Sequence, residues 1–173
     1  MAGFNIQVAG MAELRARLNA MKDRAANPGP GLLRAGMVVL KAAKDHIKSG
    51  AGDQGPWPPN ITGTPLLFKT GRLINSLTIG GSGNISNVSG NAIEVGTNVP
   101  YGRWNQEGTG IYGPTGQRIF PKNKKALAWD GHVVRSIKGT PKRRFLYIDE
   151  QQATKIRDVF SAYIVSGLPS ATE

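Results

Sequence analysis

Three glycines, Gly108, Gly110 and Gly113, stand at the spacing G-x-G-x-x-G inside the stretch EGTGIYGPTG. In dinucleotide-binding proteins this spacing cradles a pyrophosphate, provided that a buried strand leads into the glycines and a helix N-terminus follows them. Here the preceding residues, Tyr101 to Glu107, are mostly polar, and Pro114 and Gly116 oppose a following helix. Asp130 lies about 20 residues on, where a ribose-binding acid is expected. Pro121 and a lysine cluster, however, occupy the interval that a helix and strand would need. The segment therefore reads as a flexible loop, and no G-x-x-x-x-G-K-S/T phosphate loop occurs elsewhere.

Other residue types capable of chemistry are scattered. His46 falls near the end of an expected helix and His132 at the start of an expected strand. Neither has a second histidine at ligand spacing, so both read as surface or cap residues. The few acids, Asp45 and Asp53 among them, form no carboxylate pair of the kind that serves hydrolysis. The absence of cysteine removes disulfides, thiolate metal sites and cysteine nucleophiles. No catalytic, cofactor-binding or metal-binding residue is nominated, and the expectation is a chain that is not an enzyme and needs no cofactor.

The charge is more informative. The 173 residues carry a formal net charge of +11, which attracts polyanions or an acidic protein surface. Arg118, Lys122, Lys124, Lys125, Arg135, Lys138, Lys142, Arg143 and Arg144 lie in one stretch whose only acid is Asp130. These cations could neutralise phosphates, with Phe120 and Trp129 stacking on bases. Phe120, Leu127 and Trp129 also alternate as core-facing strand residues do, so a basic face for a protein partner stands beside the nucleic-acid reading. No basic region followed by a sustained apolar segment opens the chain, and the longest strongly apolar run, Met37 to Leu40, is too short to span a bilayer. A soluble, unexported chain without membrane contact is expected.

The elements that must position these residues follow from periodicity. Phe4, Ile6 and Val8 alternate as in a short strand. Met11, Leu14, Leu18 and Met21 recur as on an amphipathic helix, which Asn27-Pro28-Gly29-Pro30 stops. A second helix is expected from about Gly31 to Lys48, with Leu33, Met37, Leu40 and Ile47 on its apolar stripe. A long loop anchored by Trp57 follows over about 50–65, then a short helix over Leu66 to Leu77 leading into a strand from Leu77 to Ile79. Asn84 to Ser89 and Asn91 to Gly96 read as an antiparallel pair turned at Gly90. Gln117 to Pro121, Ala126 to Trp129 and His132 to Ile137 read as strands, the last two joined across Asp130-Gly131. Asp149 or a neighbour caps a final helix bearing Ile156, Val159, Phe160, Tyr163 and Ile164, and the tail 166–173 is expected to fray. The fold class is α+β: a central antiparallel β-sheet or small β-sandwich, two N-terminal helices, a C-terminal helix and long loops, in one domain over 1–173.

The order of certain segments carries a resemblance. The "TGRLINS" turn from Thr70 to Ser76, the run "VGTNVPYGRWNQEG" from Val95 to Gly108, and "PKRRFL" before the last helix follow one another here. In this order they resemble the virion morphogenesis proteins of tailed bacteriophages, the tail-completion or head-tail connection family of Mu-like and lambdoid phages. Gly102 stands where an alanine is commoner in that family, and Arg144 where proline usually precedes Phe145-Leu146. The resemblance implies a structural protein of the virion neck, assembled in the host cytoplasm as a homo-oligomeric ring, with six copies favoured over twelve. Its implied partners are copies of itself and neighbouring neck and tail proteins, with nonspecific contact to channel DNA. The candidate contact residues are Arg103, Trp104, Ile111, Tyr112, Arg118, Lys122, Lys124, Lys125, Arg143 and Arg144. On this reading the glycine segment 107–117 is a protomer-contact loop; the alternative is an internal loop touching only its own domain. The alternative function is a basic DNA-binding module using 118–144.

Overall fold

A computed structural model describes residues 10–60, 66–68, 70–129 and 131–167. The expected strand at Phe4 to Val8, Asp130 of the Asp130-Gly131 turn and the tail beyond Gly167 lie outside the described residues. Among the described residues, five helices and three two-stranded antiparallel ladders give an α+β chain, with two helices toward the N-terminal end and one toward the C-terminal end.

Helices α1 (Met11–Ala26) and α2 (Gly29–Ser49) are separated only by Asn27 and Pro28. The prolines that stop α1 also start α2: Pro30 occupies the first turn, where a missing N–H costs nothing. Gly50 closes α2 in the left-handed conformation, its N–H bonding the His46 carbonyl.

The buried face of α2 differs from the expected stripe. Leu40 and Ile47 are buried, but Met37 is exposed and Leu33 only half-buried, while Gly31, Ala35, Gly36 and Ala43 turn inward. Small residues are selected because neighbouring elements approach closely. A Cβ on Gly36 would stand 2.7 Å from both Ile93 Cδ1 and Val95 Cγ1, and one on Gly31 would stand 2.5 Å from the Tyr163 ring. A search for large apolar residues at helical spacing therefore selects a face rotated away from the one that packs.

Two short ladder strands, β1 (Ala51–Gly52) and β2 (Gly55–Pro56), precede Trp57, which is buried as expected. The helix expected over Leu66 to Leu77 contracts to α3 (Arg72–Ser76). No strand follows it at Leu77 to Ile79. The amides of Leu77, Thr78 and Gly81 bond the carbonyls of Ile74, Asn75 and Thr78, so successive turns consume the donors that a ladder would need.

Strands β3 (Asn84–Ser89) and β4 (Ala92–Thr97) pair in the register Asn84↔Thr97 to Ser89↔Ala92 and pack on α2. Helix α4 (Pro100–Glu107) follows, then a single 3₁₀ turn at Gly110–Tyr112. Strands β5 (Leu127–Trp129) and β6 (His132–Val134) pair with one another. The strand expected over Gln117 to Pro121 is reduced to one bridge, Ile119↔Ile137.

Helix α5 (Glu150–Ser166) opens with a reciprocal cap: Asp149 Oδ1 accepts from the Gln152 amide at 2.7 Å, and Gln152 Oε1 accepts from the Asp149 amide at 3.3 Å. It lies on α2, and its buried Tyr163 donates from the hydroxyl to the Asn27 carbonyl at 2.6 Å. The core gathers Leu40, Ala43 and Ile47 of α2, Trp57, Leu73, Ile74 and Leu77 around α3, Val99 and Phe145. Among the described residues no helix is long and apolar enough to cross a membrane.

Candidate partner-contact surface

The segments that carried the resemblance meet in one knot. Ser76 Oγ donates to the Leu73 carbonyl at 2.7 Å, leaving its lone pairs for the Thr97 hydroxyl 2.6 Å away, and Thr97 Oγ1 in turn accepts from the Val99 amide at 3.1 Å. The turn 70–76 is thus tied to the run 95–108. Gly102 sits where the two cross: a Cβ there would stand 3.1 Å from Thr97 Cγ2, 3.3 Å from Leu73 Cδ1 and 3.9 Å from Phe145 Cζ.

Gln106 connects this pair to the third segment. Its Oε1 accepts from the amides of Phe145 at 3.1 Å and Leu146 at 3.0 Å, while its Nε2 donates to the Leu146 carbonyl at 2.6 Å. One carboxamide thereby satisfies the backbone of Phe145 and Leu146, which belong to no strand. His46 of α2 braces the same segment: its Nδ1 donates to the Phe145 carbonyl at 2.9 Å, and its ring stacks on Tyr147 with centroids 4.3 Å apart. His46 is therefore a half-buried strut rather than a surface or cap residue.

From this knot an arm projects between two crossing points of backbone. The amides of Thr109 and Ile111 bond the carbonyls of Thr140 and Lys138 at 3.0 and 2.8 Å, and Thr109 Oγ1 accepts from the Thr140 amide at 2.8 Å. The crossing requires glycine. Gly110 and Gly139 have φ of +62° and +99°, and a Cβ on either would fall 2.1 Å from a carbonyl oxygen of the opposing chain. The opening glycines thus serve close backbone approach within the chain; α4 precedes them instead of a strand, and a 3₁₀ turn follows instead of a helix.

Beyond the crossing, the limbs of the arm are held by the Ile119↔Ile137 bridge, by Arg118 Nε donating to Ser136 Oγ at 2.9 Å, and by the β5–β6 ladder, whose principal packing partner is itself. Lys122, Lys124 and Lys125 are exposed in the bend-rich outer part. Phe120 and Val133 are 63% and 69% exposed. The alternation that pointed Phe120 toward a core is overturned, because among the described residues no other layer covers that part of the arm.

The other candidate residues divide. Trp104, Ile111 and Tyr112 are exposed at the base of the arm, and Arg103, also exposed, pairs with Glu107 one turn on at 3.1 Å. Arg144 is half-engaged by Asp53 at 2.7 Å. Arg143 must be removed from the contact set: it is 5% exposed and bonds within its own chain. Its Nη2 donates to the Pro58 carbonyl and Asn60 Oδ1, each at 3.1 Å, and its Nη1 to Asn105 Oδ1 at 3.4 Å. Burial lowers its pKa from the usual value, and Nε has no acceptor among the described residues. Arg143 is a tie between the Trp57 loop and α4.

Sequence reasoning missed Gln106 and the crossing partner Gly139. A glutamine following Trp104-Asn105 carries no local signal of what it clamps, whereas the glycines at 108, 110 and 139 do mark a place where side chains are excluded. Among the described residues no three of His, Cys, Asp and Glu gather as metal ligands. The hollow beside the arm's base, about 500 Å³ and lined by Gln106, Glu107, Tyr112, Lys142 and Arg144, is polar and open. No protein-family model, curated protein or solved structure matches the chain.

Proposed function

We infer that this chain is a structural component of the head-tail junction of a tailed bacteriophage, acting in tail completion or head-tail joining as a homo-oligomeric ring. The reading is supported first by the resemblance in segment order. Its physical support is that a rigid knot built from those same segments holds out a basic arm with exposed apolar side chains. Such an arm leaves Phe120 and Val133 in water and has no fully buried residue among the described ones, which makes sense if it is covered by a neighbour. The lysines at its outer end suit an acidic protein surface. The internal hydrogen bonds of Gln106, Thr97 and Ser76 make these polar residues framework rather than reaction machinery.

The test is assembly with Lys122→Glu, Lys124→Glu and Lys125→Glu combined. These exposed changes leave the fold intact and are expected to make heads and tails accumulate unjoined. Normal yields of complete particles would contradict the reading. A second reading, a DNA-binding module, is favoured by Phe120 standing exposed beside Lys122, within reach of a base stacked above a neutralised phosphate.

A further inference from the structure

We propose that the first helix of one copy docks into an apolar groove of the next, so that the copy-to-copy contact is made by α1 and the α2–α5 face and not by the arm. The proposal rests on the self-assembly reading above and specifies its interface.

Helix α1 contributes almost nothing to its own core. None of its residues is buried, and Met11, Leu14 and Leu18 are 45%, 50% and 54% exposed. Its last turn is tied to α5, where Arg24 Nη1 donates to the Ile164 and Val165 carbonyls at 2.7 and 2.8 Å. The exposed residues fall at i, i+3 and i+7, and Met21 and Ala25 continue the same stripe. A 16-residue helix that touches α5 yet buries none of its residues, with Met11, Leu14 and Leu18 left exposed along one stripe, is an incomplete packing unit.

The matching concavity is on the same chain. An apolar groove of about 630 Å³ runs between α2 and α5, bounded by Ala25, Leu32, Phe160 and Ile164. A second stretch of about 640 Å³ continues it toward β4, sharing Leu32, Ala35 and Ile156. The α1 stripe leads through Ala25 to the mouth of this groove, so donor and acceptor surfaces are contiguous in sequence and space.

Charge favours a second copy as occupant. The chain carries +11, and like copies repel wherever that charge faces itself. Between Arg118 and Arg144, nine basic residues face one acid, which disfavours self-contact there. Helix α5 instead is neutral, with Glu150 and Asp158 against Lys155 and Arg157, and α1 carries four basic residues against Glu13 and Asp23, of which Arg17 is paired with Glu13 at 2.6 Å and Arg24 is spent on carbonyls. The apolar groove, whose charged lining residues are Arg157 and Glu94, is close to neutral where the arm is strongly basic, and it is there that copies can meet. A stripe on one part of the surface entering a groove on another is a head-to-tail contact, which repeats until a ring closes or a filament grows.

The chain has no cysteine, which permits a direct test. Chains carrying Leu18→Cys and chains carrying Ile156→Cys are mixed under mild oxidation, and native mass spectrometry follows the oligomer. The expected result is a mixed disulfide between the two kinds of chain, lost when Leu14→Glu, an exposed and structurally harmless change, is added. Disulfides formed preferentially between two Leu18→Cys chains would overturn the proposal, as would a link confined within single chains of the double variant. Oligomers without the mixed link would overturn this contact and leave the ring reading standing. A mixed link in a dimer or open filament would uphold the contact and contradict the ring.

Discussion

Replacing Gln106 by alanine removes the single side chain that satisfies the amides of Phe145 and Leu146 and the Leu146 carbonyl. Phe145 is 2% exposed, so its amide gains no water and bears a desolvation cost of about 1–3 kcal/mol, while the half-buried Leu146 groups lose about 1 kcal/mol each. The expected loss is about 3–5 kcal/mol, which for a chain of this size lowers the melting temperature by roughly 6–20 °C. Urea or thermal unfolding followed by circular dichroism measures it. Gln106→Glu separates donor from acceptor: the carboxylate still accepts both amides but sets an anionic oxygen against the Leu146 carbonyl. Its loss at neutral pH is expected to match that of alanine. Because the folded state would then raise the pKa of the new carboxyl, stability should return on acidification, when a protonated Glu can donate. A Gln106→Ala change within about 1 kcal/mol of the parent would refute the view that this carboxamide fastens the knot.

Other perturbations have equally definite outcomes. Gly139→Ala or Gly110→Ala places a methyl group against an opposing carbonyl at a positive φ, and is expected to open the crossing; trypsin should then cut within Lys122 to Lys125 at least several-fold faster, whereas unchanged cleavage would contradict the crossing's role. The Tyr147 pKa is raised, first by burial and then by Asp149 and Asp53, with Arg144 opposing. Its contribution is therefore complete below the unfolded tyrosine value near pH ~10 and is lost as pH climbs through the higher folded value. Tyr147→Phe should flatten this alkaline fall in unfolding curves, and an unaltered pH profile would count against it. If the arm binds duplex DNA through Arg118, Lys122, Lys124, Lys125 and Arg135, log affinity should fall against log salt with a slope of about −4 to −5; reversing the three lysines should reduce the slope by roughly 3, and a slope near zero would dismiss phosphate contact.

Much of the fold was legible because it rests on short-range rules. The Met11–Met21 period, the Pro28-Pro30 boundary, the Gly90 turn and the Asp149 cap each reside within a few residues, and each corresponds to an element found. What escaped depends on neighbours distant in sequence. The packing face of α2 is set by Ile93, Val95 and Tyr163 pressing on Gly36 and Gly31, so it follows small residues rather than large ones. Arg143 belongs to a basic run by composition, yet Pro58, Asn60 and Asn105 take it inside. The exposed arm lysines, by contrast, kept the surface role that their charge implied.

Electron cryomicroscopy of the neck in intact tailed particles bears most directly on the assignment. The expected image is a closed ring of this chain between head and tail, six copies being favoured, with the 117–138 arms seated on adjacent proteins. Particles whose junction lacks the chain, or purified protein that stays monomeric at every concentration and joins no head to a tail, would contradict it.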